Sequence, residues 1–440
     1  MHHDKRQHGF LANKSCTTNM VNFCDNLALS LNNGQRTDVI YFDFAKAFDS
    51  VNHDLLLHKL KNMYKIDGRL LRFIVGYLSD REQCVVIGNT KSSFKPVLSG
   101  VPQGSILGPI LFVLFINDLP DGLSAGTNLA LYADDTKIWR TINSENDHDI
   151  LQRDITYLNE WARKNLMNFH PQKCKVVSVA HREPPLLGIL PNIQYYYSLG
   201  ECLLDYVDSE KDLGVDINKK FNFTDQCTRL LSKANQQFGL TRRTCYFVND
   251  VKRRRVLFLS LIRSQFEHCS PIWRPTSKTM LDKFENFQKR CVKWILSEEY
   301  ISYKSMYTYV RKCRQVNILP LEKRFDLNDL IFLHKVIYKL IPTDLPSYLS
   351  FFSGVSRLRS CHLDSLSLVS TIQPKNVSNV SLNKSCFYRT YSLWNALPLE
   401  IREIQPPSAF KNEVIKYFWK LLLMDDSEIF ESDVYLSDSD

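Results

Sequence analysis

Apolar and polar positions along the chain fall into short stretches of both regular periods. Thr37-Asp38-Val39-Ile40-Tyr41-Phe42 is short and rich in β-formers, which predicts a strand delivering Asp43 at its end. From Asp54 to Tyr64, Leu55, Leu56, Leu57 and Leu60 make a helical stripe, with Asn52 or His53 near its start. Residues 129–140 place two apolar runs on either side of Asp134-Asp135, the pattern of a tight hairpin. Ile150, Leu151, Ile155, Leu158 and Trp161 recur at helical steps, and Val176, Val177 and Val179 predict another strand. Strand, helix, hairpin, helix, strand is an α+β layout, with a sheet covered on one face.

Beyond residue 180 the pattern changes. Arg182 to Pro191, with Glu183, Pro184 and Pro185, reads as a loop or linker. A short strand is predicted at Leu213-Gly214-Val215-Asp216-Ile217, and the rest to residue 300 is mostly helical in pattern. Residues 301–424 are helix-rich too, broken at Pro342, Pro346, Pro406 and Pro407. The expected divisions are therefore 1–180, 181–300, 301–424 and a tail, 425–440. That tail is acidic and Ser-rich and is expected to be disordered.

Composition narrows the class. At 440 residues, 44% hydrophobic and 23% charged, with 15 Gly and 17 Pro, the chain is neither mostly disordered nor collagen-like. The net charge is +9, and setting aside the seven acidic residues from Asp425 onward takes the body to +16. Such a body suits a polyanionic partner such as nucleic acid. Twelve Cys without a CxxC pair read as reduced thiols, which points to the nucleus or cytoplasm. The N-terminus lacks the apolar run of a signal peptide. Ile106 to Ile116, interrupted by Gly108 and Pro109, is too short to span a bilayer.

Three features carry chemistry. Asp134 and Asp135, adjacent at a hairpin tip, repel each other and need solvent, a basic partner or a divalent cation. Asp43, ending another strand, can join them. Three carboxylates with free positions suit Mg²⁺, which also takes water and phosphate oxygens. Two such ions can activate a 3′-hydroxyl and stabilise a leaving pyrophosphate. Taken singly, the pair also reads as a solvated turn, and Asp43 as a helix cap. Ser99 to Pro109 is the third feature; Gly100 and Gly104 would let backbone approach a nucleotide closely, or simply make a turn before an apolar helix.

In this order the motifs resemble those of the reverse transcriptases of non-LTR (LINE-type) retrotransposons, close to the Jockey and CR1 groups. Phe42 to Asp49 is similar to the first palm motif, Ser99 to Pro109 to the second and Tyr132-Ala133-Asp134-Asp135 to the third. Asn168 to Lys175 is similar to the fourth, with His170 where Asn is usual, and Lys211 to Val215 to the fifth. Gln7-His8-Gly9-Phe10 resembles the segment before the palm. Leu261 to Ser264, Pro271-Ile272-Trp273 and Tyr391 to Pro398 continue the resemblance.

The resemblance implies a right-hand polymerase: an antiparallel palm sheet packed on helices, partial fingers, a helical thumb and a helix-rich C-terminal region. It implies an RNA template, a DNA primer and dNTPs as partners. It also implies two Mg²⁺ ions at Asp43, Asp134 and Asp135, with the Phe44 carbonyl assisting and Mn²⁺ as a substitute. Phe48 would be the aromatic gate against the ribose 2′-hydroxyl, or plain core. Gln103 and Gly104 would lie beside the incoming nucleotide. Lys173 would protonate pyrophosphate, or stand as a solvated loop residue. Leu213-Gly214 would help hold the primer end, and Lys252-Arg253-Arg254-Arg255 would contact phosphates or form a solvated face.

The sequence also departs from the family. Leu11 and Cys16 replace an Arg and a Thr usual before the palm, and only the last piece of a fingers region is expected. No endonuclease, ribonuclease H motif or Cys/His knuckle is found. The expectation is an N-terminally truncated element, with a catalytically inactive nucleic-acid-binding remnant as the alternative to an active polymerase. A group II intron maturase-like splicing factor shares the palm but predicts different flanking domains.

Overall fold

The strand expected at Thr37–Phe42 is β1, Arg36–Phe42, and it lies in the middle of a five-stranded sheet. The other strands are β2 (Asn128–Tyr132), β3 (Asp135–Ile142), β4 (Lys175–Val179) and β5 (Asp205–Tyr206), in the order β5-β4-β1-β3-β2. β1 pairs antiparallel with β3 and with β4, β2 and β3 form the expected hairpin, and β5 runs parallel to β4. The coordinates are a computed structural model, which describes residues 4–180, 196–298, 306–353, 364–372 and 382–424. The linker expected at Arg182–Pro191 and the acidic tail lie outside the described residues.

The chain divides into two compact units. Met1–Phe23, Asn33–Glu210 and Asn218–Phe221 make the first, while Cys24–Asn32, Lys211–Ile217 and Asn222–Asp440 make the second.

Helices α1 (Cys16–Asn32), α2 (His53–Asn62), α3 (Gly68–Leu78), α4 (Leu107–Ile116) and α5 (Glu145–Lys164) precede β4. Asn52 is the cap of α2: its Oδ1 accepts the Leu55 amide at 2.9 Å. Ile40, Ile138 and Val176 on one sheet face are fully buried with Leu56 and Leu60 of α2, Phe112 and Phe115 of α4 and Leu158 of α5. Each such side chain contributes roughly 1.5–3 kcal/mol.

The other face is not left to solvent, contrary to the expectation of a sheet covered on one side only. Val39 is fully buried, and Trp139 beside it packs its ring 4.9 Å from Phe23 of α1. α1 adds a helix to the expected set, and its Phe23 closes this second face. Asp38, also fully buried, is held by four hydrogen bonds from three partners. Arg36 donates two hydrogen bonds at 2.7 Å, Ser178 Oγ one at 2.6 Å and Tyr197 Oη one at 2.9 Å. A buried carboxylate needs this much compensation.

The second unit is helical, as expected, with α6 (Thr224–Thr244) and α7 (Val251–Leu257) followed by Lys278–Leu296, Met306–Gln315, Leu321–Ile337, Cys386–Asn395 and Pro407–Met424. The strand expected at Leu213–Ile217 is shorter: Leu213 and Gly214 make a left-handed turn (φ 46° and 87°), and the strand is Val215–Asn218. Asp329, fully buried, accepts from Arg274 Nη1 at 2.9 Å and from Arg389 Nε at 2.8 Å. Arg389 also donates to the Pro271 carbonyl. This network joins the Pro271-Ile272-Trp273 stretch to the helix carrying Tyr391 and Trp394.

Asp25, in the same unit, accepts hydrogen bonds from Tyr348 Oη at 2.6 Å and from Ser385 Oγ. Burial pushes its carboxyl up to about 6 against those two hydrogen bonds. The folded state therefore keeps a proton that the unfolded chain releases lower down. The stability this contributes is full below the ordinary carboxylate range and is lost as pH rises through about 6. Asp25→Asn keeps an acceptor and cannot titrate. Between pH 4.5 and 7.5 the wild type should lose about 2 kcal/mol relative to this variant in urea unfolding. A difference independent of pH would refute the assignment.

Candidate active site

Register places the first two carboxylates. Phe42 pairs with Thr136, so Asp43 leaves β1 beside the hairpin tip that carries Asp134. Burial raises the Asp134 carboxyl above the ordinary range, and the negative charge of Asp43 pushes the same way. Asp135 begins β3 opposite Tyr132 and is exposed.

The tip needs Ala133 in the left-handed region, φ 54°, which only glycine adopts freely. A segment remote in sequence enforces it. Gln7 Oε1 accepts from the Ala133 amide at 2.9 Å and from the Gly9 amide at 2.7 Å. The Leu131 amide donates to the Arg6 carbonyl at 2.9 Å, and the His8 amide to the Leu131 carbonyl at 2.8 Å. A Cβ at Gly9 would lie 2.3 Å from the Ala133 nitrogen. This is the physical content of the Gln7-His8-Gly9 stretch, which sequence resemblance marked without explaining.

Asn168-Phe169-His170 runs alongside Asp43. The His170 amide donates to the Asp43 carbonyl and the Ala45 amide to the Asn168 carbonyl, both at 2.8 Å. Phe44 is buried with its ring stacked 4.2 Å from Phe169. The turn that follows brings Lys173 Nζ to 3.2 Å from Asp43 Oδ2. Both side chains are largely solvated, 64% and 41% exposed, so the pair adds little stability.

Phe48 stacks on Phe112 at 4.3 Å and meets Phe10 edge-on at 6.3 Å, half-buried at the margin of the core. Gln103 is exposed, its Nε2 donating to Asp49 Oδ1 at 2.8 Å. Gly104 is exposed with φ 78°, and a Cβ there would meet nothing within 4 Å. A cleft of about 910 Å³ is lined by Ala45, Lys46, Asp49, Arg81, Gly100 and Gln103 among others.

Leu213, Gly214 and Lys252 to Arg255 belong to the second unit. The Leu213 carbonyl accepts from His268 Nε2 at 2.9 Å. Lys252 and Arg253 are exposed. Arg254 is buried, donating to the Trp294 carbonyl at 2.6 Å and to Ser297 Oγ at 2.9 Å, with its guanidinium over the Trp294 ring. Arg255 donates to the Val316 carbonyl at 2.7 Å. Two of the four basic residues therefore cross-link the unit, and two face solvent.

The donors fit a hard cation in chemistry: all are carboxylate oxygens, and like charge on Asp43 and Asp134 favours a cation between them. Among the described residues, however, no three His, Cys, Asp or Glu side chains gather into a ready-made cage. A Mg²⁺ here would take substrate phosphate and water oxygens as its remaining ligands. Among the same residues no helix is long and apolar enough to cross a membrane.

Gly9→Ala should displace the Ala133 turn, since the clash is with backbone rather than a mobile side chain. We expect a loss of about 1–3 kcal/mol in urea unfolding. Gly76→Ala, in a helix where space is open, should cost nothing or stabilise, and equal costs would show that Gly9 is not under this constraint.

The reverse transcriptase (RNA-dependent DNA polymerase) family matches residues 1–223. The RNA-directed DNA polymerase from mobile element jockey of Drosophila melanogaster is 30% identical over 199 residues, covering 43% of this chain and 20% of the relative. The Pol polyprotein from type-1 retrotransposable element R1 of Nasonia vitripennis is 26% identical over 227 residues, 50% of this chain and 62% of the relative. An apo telomerase structure from Candida tropicalis aligns with 71% of this chain and 50% of its own at 12% identity. Its TM-score is 0.39. The chain spans less than a third of the length of the first curated relatives it matches. With its family match covering the carboxylate sheet and the Gln7–Gly9 buttress alike, the chain belongs to the reverse transcriptase family, of the LINE-type, non-LTR retrotransposon kind.

Proposed function

We propose that this chain extends a DNA 3′-end on an RNA template, taking dNTPs as substrate. The observation that carries the reading is the β1–β3 register, which sets Asp43 within electrostatic reach of Asp134. In this reading the five-stranded sheet with α2, α4 and α5 is the palm, and the helices that follow Asn222 begin a thumb. The divisions at 181–300 and 301–424 are part of the same proposal.

Mg²⁺ bound at Asp43, Asp134 and Asp135 would supply Lewis acidity to the primer hydroxyl and charge neutralisation to pyrophosphate. The chain's own residues have separate tasks. Asp43 and Asp134 provide anionic oxygens at the ends of adjacent strands. Lys173, beside Asp43, holds a proton at Nζ for the departing pyrophosphate. Phe48, with one face on Phe112, presents its remaining edge where a ribose would sit. Gln103 and Gly104, exposed at the rim of the second motif, face the nucleotide. Lys252 and Arg253 are left free by their burial pattern to meet backbone phosphates.

Purified protein should extend oligo(dT) on poly(rA) with Mg²⁺. Asp134→Ala/Asp135→Ala should lower the rate by about a hundredfold or more with primer–template binding retained. Extension that survives the double substitution sinks the assignment. No extension by the wild type, with primer–template still bound, would reduce the function to nucleic-acid binding.

A further inference from the structure

The loop from Ser99 to Gln103 is tied by its first three residues to the 48–51 segment. The Val101 amide donates to the Phe48 carbonyl at 2.9 Å, and the Gly100 amide to the Val51 carbonyl at 2.8 Å. Ser99 Oγ donates to the Asp49 carbonyl at 2.9 Å, and His53 Nε2 donates to the Gly100 carbonyl at 2.8 Å. Gly100 itself, at φ 89°, lies so close that a Cβ would be 2.8 Å from the Asp49 Cα. These contacts fix the backbone. They leave the Gln103 side chain exposed beside Gly104, hydrogen-bonded to Asp49.

That partner has a consequence for chemistry. A primary amide has a donor end and an acceptor end of nearly the same shape, and only its partners decide which way it faces. An ionised carboxylate accepts and never donates. The 2.8 Å contact from Gln103 Nε2 to Asp49 Oδ1 therefore favours the amide orientation that turns the NH2 group toward Asp49. The Gln103 carbonyl oxygen and its second N–H are then presented in fixed places at the cleft that Asp49 and Gln103 both line. Among the described residues no cationic side chain competes with Gln103 for the exposed Asp49 carboxylate.

We propose that Asp49 is a positioning residue, which sets the amide orientation of Gln103 and through it the binding of the incoming nucleotide. The inference rests on the polymerase reading, with Gln103 beside the dNTP. Asp49→Asn is close in volume and keeps the local packing. Its amide can donate as well as accept, so it permits both orientations of Gln103.

Two measurements test this. In ¹⁵N-glutamine-labelled protein, the side-chain amide pair of Gln103, identified by its loss in Gln103→Ala, should shift in Asp49→Asn. An unmoved pair overturns the proposal. In primer extension, Asp49→Asn should raise the KM for dNTP about five- to tenfold, the scale of one hydrogen bond, with kcat within about twofold. In the Gln103→Ala background the same substitution should add nothing, since Asp49 acts through Gln103. Additive effects overturn the proposal, as does a fall in kcat with KM unchanged. A wild type that extends no primer sinks the polymerase reading, and with it the nucleotide half of the proposal. The amide spectrum still decides whether Asp49 orients Gln103.

Discussion

Like charges brought side by side are the central constraint on this fold. Asp43 and Asp134 repel, and the Asp134 carboxyl is raised first by its partial burial and then by the charge of Asp43. What holds them there is apolar. Ile40 and Ile138 are paired across β1 and β3 and fully buried, and a one-residue slip would turn both out of the core. The hydrophobic register thus fixes an electrostatic arrangement that the carboxylates alone would avoid. The Gln7–Gly9 buttress completes it by stabilising the strained tip.

Much of this was legible in the sequence, for reasons that differ by residue. The Thr37–Phe42 run is made of β-formers and stops at Asp43, so strand and carboxylate were read together. The hairpin was visible because Leu129 to Tyr132 and Ile138 to Trp139 flank two turn-favouring aspartates. The α5 stripe had helical spacing over three turns. The class of chemistry followed from these and from the order of motifs.

What escaped depended on contacts far apart in the chain or on direction around a helix. Asp49 and Gln103 are 54 residues apart, and nothing local marks them as partners. Gln7 and Ala133 are 126 apart. Lys252 to Arg255 read as one basic cluster, but successive residues on a helix point about 100° apart. Arg254 was thereby carried into the interior, where Trp294 and Ser297 satisfy it. The second face of the sheet was missed because it is closed by α1, which lies before the motifs that were read for chemistry.

The buried network around Asp329 reaches from Arg274 to Arg389, residues separated by about half of the second unit. During synthesis Asp329 and Arg274 are made first, and the second guanidinium arrives only when the ribosome has passed Arg389. A product ending before that point keeps a buried anion with half its counter-charge. Such a product meets the cell's chaperones and proteases with its helices made but its interior charge unbalanced. The balance of charge inside the second unit is therefore completed only by a residue near its end.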